Sequence, residues 1–207
     1  MNSKGLLIVF SGPSGSGKDT VLERLLSIDN NIVRSVSATT RQAREGEING
    51  KDYFFISEKE FCDAISEEKL LEFTKYCGNY YGTLNDFVEN SRNAGKDVIL
   101  KIEVDGAKQI KEKCPNVVRI FVLPPSMSVL ETRLSSRGTE TAKSCAERLN
   151  RACEEIKFSY QYDYVVVNDD DDKCAQNIYT ILCAEKFKSC RMKNIINEVL
   201  SNAKTID

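Results

Sequence analysis

The residues Phe10-Ser11-Gly12-Pro13-Ser14-Gly15-Ser16-Gly17-Lys18-Asp19-Thr20 carry the strongest chemical signal in the chain. They follow a short apolar run, Leu6 to Phe10, and lead into Val21-Leu22-Glu23-Arg24-Leu25-Leu26, whose apolar residues recur at helical spacing. A strand, a glycine-rich turn and a helix N-terminus are therefore predicted. Gly12, Gly15 and Gly17 let the backbone turn tightly and point successive N–H groups inward, where the positive end of the helix dipole helps them cradle phosphates. Lys18 would reach the β/γ oxygens as a point charge. The chemistry this predicts is nucleoside triphosphate binding; the bland alternative is a serine- and glycine-rich loop without function.

Two further clusters are able to handle phosphate. Arg41 and Arg44 stand three residues apart, flanked by Thr39, Thr40, Gly46 and Gly50, a spacing that suits a bidentate clamp on one phosphate monoester as well as ordinary solvated charge. The hydroxyls of Tyr53, Tyr80 and Tyr81 are able to complete such a clamp, and the carboxylate of Glu72 suits two N–H donors on a guanine edge. Downstream, Arg133 and Arg137 are four apart and share a helix face, Gly138 makes a flexible joint, and Arg148 and Arg151 follow. Arginines on a hinged segment suit a lid that closes over a transferring phosphoryl group; an exposed helix with ordinary ion pairs is the alternative.

The elements that must position these groups follow from periodicity. Strands are expected at Leu6 to Phe10, Val33 to Ser37, Tyr53 to Ile56, Leu70 to Phe73, Asp97 to Ile102, Val117 to Leu123 and Tyr162 to Val167, with Gly78 to Gly82 as a turn. Helices are expected from Glu58 to Ile65, Gly106 to Lys113, Ser126 as N-cap onward, Glu140 to Ile156, and Lys173 to Leu200 with a break near Ser189. Strand and helix in alternation imply a parallel sheet, so the expected fold class is α/β: a P-loop sheet flanked by helices with a small sheet inserted. The acidic run Asp169 to Asp172 reads as a solvated turn that favours the following helix, rather than as a cation site.

Composition narrows the chemistry. At 207 residues with 41% hydrophobic content, the chain is able to bury one core with inserted subdomains, and a net charge of −2 argues against a broad surface for nucleic acid. The five apolar positions near the start are too few for a signal peptide, and no run approaches the ~18 residues of a membrane span, so a cytoplasmic protein without membrane partners is expected. The eight cysteines include no closely spaced pair, which predicts reduced, mostly structural thiols. There is no histidine, so catalysis must rest on cations, carboxylates and backbone donors.

In this order the clusters resemble the guanylate kinases, the ATP:GMP phosphotransferases among P-loop nucleoside monophosphate kinases. The resemblance rests on Ser-Gly-Pro-Ser-Gly-Ser-Gly-Lys, on Val36-Ser37-Ala38-Thr39-Thr40-Arg41-x-x-Arg44-x-Gly46-Glu47-x-x-Gly50-x-x-Tyr53-x-Phe55, on Gly78-Asn79-Tyr80-Tyr81-Gly82-Thr83, on Pro124-Pro125-Ser126, on Arg137-Gly138-Thr139-Glu140 and on Val167-Asn168-Asp169-Asp170. It implies a P-loop core at 4–33, 92–125 and 159–203, a GMP-binding subdomain at 34–91 and a lid at 126–158. The loop Gly12, Pro13, Ser14, Gly15, Ser16, Gly17, Lys18, Asp19, Thr20 would hold the ATP phosphates, with Asn168 near the adenine. Ser37, Arg41, Arg44, Tyr53 and Tyr81 would hold the GMP phosphate, Glu72 and Thr83 would read the guanine, and Glu103 would support GMP or metal. Arg133, Arg137 and Arg148 would converge with Lys18 on the transferring group. Mg²⁺ is expected with ATP, and Thr20 would contact it directly or through water. The oligomeric state stays open, a homodimer included. A peptide-binding scaffold domain and a kinase for another monophosphate are the rival readings; the intact loop and Glu72 count against them.

The chain departs from this pattern twice. Asp19 follows the loop lysine where many P-loop proteins have a serine or threonine, and Lys101 stands where the family usually has an acid, leaving Glu103 alone. Lys101 either faces a phosphate or forms an ion pair.

Overall fold

The structure, a computed structural model, describes residues 4–76, 78–135 and 142–201. In chain order the elements are β1 (Leu7–Ser11), α1 (Lys18–Ile28), β2 (Ile32–Arg34), β3 (Ser37–Thr39), β4 (Phe54–Phe55), α2 (Glu58–Ser66), β5 (Leu70–Tyr76) and β6 (Asn79–Leu84). There follow α3 (Asn85–Asn93), β7 (Asp97–Lys101), α4 (Val104–Lys113), β8 (Val118–Leu123), α5 (Met127–Ser135), α6 (Ala142–Lys157), β9 (Tyr164–Val167), α7 (Asp171–Lys186) and α8 (Lys193–Ser201).

β1 is apolar from Leu7 to Phe10 because both of its faces are covered. It lies at the centre of a parallel sheet ordered β2-β7-β1-β8-β9, with Leu7 beside Val98 and Ile8 beside Val118. Successive side chains leave a strand on opposite faces. Ile8 and Phe10 therefore pack with Val21, Leu22 and Leu25 of α1 and Ile178 and Leu182 of α7, while Leu7 and Val9 pack with Val88 of α3 and Ala107 and Ile110 of α4. Each large side chain buried this way contributes about 1.5–3 kcal/mol. The sheet thus holds the C-terminal ends of β1 and β7 rigidly side by side.

The second sheet is ordered β4-β3-β6-β5, with β3/β6 and β5/β6 antiparallel and β3/β4 parallel. Its own core is Ala38, Phe61, Ala64 and Leu70, closed by α2, whose first turn is capped reciprocally by Ser57 and Glu60. A register shift between Leu70 and Glu72 sends Leu70 into this core and Leu71 into the core beneath α3 and α4. Such a bulge re-aims the side chains that follow it, and here that residue is Glu72.

Three expectations differ from the fold. The predicted strand Val33 to Ser37 is two strands in two sheets: Val33 pairs with Val98, whereas Ser37 pairs with Thr83, and the Ser35 N–H goes to the Ile99 carbonyl between them. Gly78 to Gly82 is mostly strand, because Asn79 to Thr83 finds partners on both sides. α3 was not expected; its sequence is polar and Asn-rich, and burial of Val88 holds it. Expected features that hold include the Ser126 cap, whose Oγ accepts from the Val129 N–H at 3.2 Å, and a helix start favoured by the acidic run, where Asp170 caps α7 through the Lys173 N–H at 2.8 Å; the turn itself is shorter than expected, since Asp171 and Asp172 already form the first turn of the helix. Among the six described thiols only Cys174 is fully buried, and burial pushes it up to about 11; Cys62, Cys153 and Cys190 are exposed, so "mostly structural" was too strong. Among the described residues no helix is long and apolar enough to cross a membrane.

Candidate active site

The loop between β1 and α1 turns at Gly15 (φ +87°) and Gly17 (φ +85°), in the left-handed region that favours glycine. Space demands glycine there as well. A Cβ on Gly15 would meet Leu130 at 2.9 Å and Leu134 at 3.0 Å from α5, and one on Gly17 would meet the Asn168 amide nitrogen at 2.3 Å. Lys18 folds back over the loop and donates to the carbonyls of Gly12 at 2.6 Å and Pro13 at 2.9 Å. Burial lowers its pKa against the opposing pull of Glu103 and Asp19.

Asn168, expected near the adenine, is fully buried behind the loop. Its amide donates to the Ser16 carbonyl at 2.9 Å and to Asp171 at 2.8 Å, so its side chain supports the phosphate loop. Arg133 is in the same layer, donating to the Ser16 and Asn168 carbonyls at 3.4 and 3.3 Å. Arg148 reaches the front of the loop and donates to Ser14 Oγ at 2.6 Å. Arg137 lies outside the described residues. Replacing Asn168 with alanine is expected to cost about 1–3 kcal/mol, because the buried Ser16 carbonyl loses its main donor. Thermal melting measures the loss, and the KM for nucleoside triphosphate rises with it.

The two departures noted in the sequence meet. Lys101 at the end of β7 pairs with Asp19 in the first turn of α1, across the mouth of the loop. An acid in that turn also complements the helix dipole. Of the two alternatives for Lys101, the structure takes the ion pair.

On the second sheet, pairing lines up the groups that the sequence scatters. Ser37, Thr83 and Glu72 form one row across β3, β6 and β5; Thr39, Tyr81 and Thr74 form the row two residues on, on the same face. Thr83 donates its hydroxyl to Glu72 at 2.6 Å, and both are buried. Burial pushes the Glu72 carboxyl above its ordinary range, more than the Thr83 hydrogen bond and Lys113 pull it down. Arg41 is held by Glu47 through two bonds of 3.0 and 2.8 Å and lies over the rings of Tyr53 at 5.4 Å and Phe55 at 5.7 Å. Tyr53 in turn meets Tyr81 edge-on at 6.0 Å. Arg44 gives only its backbone N–H to Glu47, at 2.7 Å; its side chain is exposed.

One cavity of about 460 Å³ joins the two sheets. Of the expected residues it is lined by Ser14, Gly15, Gly17, Lys18, Asp19, Thr20, Ser37, Tyr53, Glu72, Tyr81, Glu103 and Arg148. Arg41 and Thr83 reach it through Tyr53 and Glu72, while Gly12, Pro13, Ser16, Arg133 and Asn168 stand behind it. Sequence reasoning missed Glu155, which faces Glu103 across the cavity. Burial and then the charge of Glu103 push its carboxyl up, against the 2.9 Å bond from Arg151. The spacing of Arg151 and Glu155, one helical turn apart, was the available signal. Glu47 stood in the quoted motif without a role, although its partners Arg41 and Arg44 lie in the same motif, and Gly106 was missed because no local pattern marks its distant partner Glu72.

A cavity with a phosphate loop at one end and a buried carboxylate at the other suits a nucleotide pair. Residues 4–185 match the guanylate kinase family model. The chain belongs to the guanylate kinase family. It is 45% identical over 195 residues to the guanylate kinase of Caldanaerobacter subterraneus subsp. tengcongensis, covering 94% of this chain and 95% of that one. It is 49% identical over 193 residues to that of Clostridium tetani, covering 93% and 92%. Among solved structures it resembles guanylate kinase from Anaplasma phagocytophilum, with a TM-score of 0.74, 38% identity and coverage of 91% and 90%. The expected P-loop α/β fold and family are borne out, and as a guanylate kinase the chain is an ATP:GMP phosphotransferase.

Proposed function

We propose that the γ-phosphoryl group of ATP passes to GMP in one in-line step, without a covalent enzyme intermediate. A GMP phosphate oxygen forms the new bond to the γ-phosphorus as the bond to the β–γ bridging oxygen breaks, leaving ADP and GDP. The observation that carries this reading is the single cavity shared by Gly15, Gly17 and Lys18 with Ser37, Tyr53, Tyr81 and Glu72. The loop N–H groups and Lys18 hold the ATP phosphates, and Arg148, with Arg133 behind the loop and Arg137, neutralises charge on the transferring group. Ser37, Arg41, Arg44, Tyr53 and Tyr81 take the GMP phosphate, while Glu72, backed by Thr83, accepts from the guanine N–H groups. In this reading residues 34–91 are the GMP-binding subdomain and 126–158 the lid.

Thr20, Asp19 and Glu103 put hard oxygen donors at the phosphate end, which suits Mg²⁺ arriving with ATP. Among the described residues no cluster of three acids, thiols or imidazoles would hold a metal by itself; Thr20, Asp19 and Glu103 would share the ion with the nucleotide that brings it. When bound, the ion neutralises the phosphate oxygens. The cytoplasm, with its nucleotides and reduced thiols, is the compartment that suits this chemistry.

The test is to incubate the protein with Mg-ATP and, separately, GMP, AMP, CMP and UMP, measuring ADP and the diphosphate product. GDP formed only from GMP is the expected result. Comparable turnover of AMP would remove the guanine role of Glu72, and no turnover of any monophosphate would remove the phosphotransfer reading.

A further inference from the structure

Gly106 lies in the first turn of α4. Its backbone is ordinary helix, which any residue adopts, and glycine is the poorest helix former after proline. Space, not conformation, explains it. A Cβ at Gly106 would be 2.7 Å from Glu72 Oε2 and 3.3 Å from its carboxyl carbon. The other carboxylate oxygen accepts from Thr83. The Glu72 carboxylate is thus seated between the Thr83 hydroxyl and a bare patch of helix.

The same face of α4 continues along β5, the edge strand of the second sheet. Three residues after Gly106, Gln109 takes both backbone groups of Phe73: its Nε2 donates to the Phe73 carbonyl at 2.9 Å, and its Oε1 accepts from the Phe73 N–H at 3.2 Å. One turn further, Lys113 donates to the Leu70 carbonyl at 3.1 Å. Gln109 therefore does for the edge strand what a neighbouring strand would do, at the residue next to Glu72. α4 starts directly after Glu103, which lines the phosphate end of the cavity. One rigid helix thereby relates the two ends of the site.

We propose that Gly106 and Gln109 are specificity-determining positioning residues. Gly106 leaves the room that lets Glu72 face a purine bearing both an N1–H and a 2-amino group, and Gln109 holds the strand at that depth. This rests on the reading of Glu72 as the guanine acceptor.

The experiment compares KM and kcat for GMP and IMP, which lacks the 2-amino group, in wild type, Gly106→Ala, Glu72→Gln and the double variant. Gly106→Ala is expected to raise the GMP KM about tenfold and lower the GMP-over-IMP preference about as much, the size of one displaced charge-assisted hydrogen bond. The KM for ATP stays as in wild type. In the Glu72→Gln background the same alanine adds less than about twofold, since coupled residues are non-additive. Gln109→Leu moves GMP KM and preference in the same direction. In a Glu72→Ala background, Gly106→Ala should raise the melting temperature by about 2–4 °C, because the clash is gone and alanine favours the helix.

Gly106→Ala with wild-type GMP KM and preference overturns the proposal, as does an equal effect in the Glu72→Gln background, which marks a merely structural residue. Glu72→Gln with unchanged preference overturns the guanine reading itself, and the proposal with it. Loss of preference in Glu72→Gln but not in Gly106→Ala leaves that reading standing and sinks the proposal alone.

Discussion

Replacing Lys18 with methionine is expected to lower kcat on the order of 10³-fold, the scale of removing a positioned cation from a phosphoryl-transfer site. The ammonium rests on the Gly12 and Pro13 carbonyls, so the loop itself holds it in place. Methionine fills the same volume without a charge to solvate, and burial already disfavours the charged form of Lys18. The fold should therefore survive, with a melting temperature near that of wild type, and the loss should appear in kcat. A variant that folds and turns over at the wild-type rate would remove Lys18 from the chemistry.

The second large effect is on selectivity. Glu72→Gln is expected to lose about 10²–10³-fold of the preference for GMP over AMP, because two charge-assisted hydrogen bonds are each worth about 1.5–3 kcal/mol and the new amide turns a donor toward a donor. ATP affinity should change little. The wild-type pH profile carries a matching signature. Burial raises the Glu72 carboxyl, so as pH falls through that raised value the acceptor is protonated and the GMP KM climbs. Stability runs the other way. A carboxyl whose folded pKa lies above its unfolded one contributes fully below the unfolded value, and that contribution is lost as pH rises through the folded one. Ligand-free Glu72→Gln should thus be at least as stable as wild type at neutral pH, trading specificity for stability. Steady-state kinetics from pH 5 to 8, with thermal melts alongside, test both; a GMP KM that ignores pH, or unchanged selectivity, would count against the role.

Local pattern was enough for the phosphate loop, because strand, glycines, lysine and helix are contiguous and each constrains only its neighbours. The parallel core was legible for the same reason: strands covered on both faces must be apolar throughout, as Leu7 to Phe10 and Val98 to Leu100 are. Residue types also made Arg41, Tyr53, Tyr81 and Glu72 candidates for a phosphate clamp and a guanine acceptor.

What joined them was not local. Ser37, Thr83 and Glu72 share a row only because β3, β6 and β5 pair in one register, and cross-strand register depends on partners dozens of residues away. That is why a continuous strand was expected at Val33 to Ser37, where the chain passes from one sheet to the other, and why Asn79 to Thr83 read as a turn. The Asp19–Lys101 pair, the place of Asn168 behind the loop and the space left by Gly106 for Glu72 belong to the same class. The sequence by itself determined which chemistry the chain carries, since that is a property of residue types and short spacings. Only tertiary packing decided which of those groups face one another, because burial, long-range pairing and the room beside a helix exist only once the chain is folded.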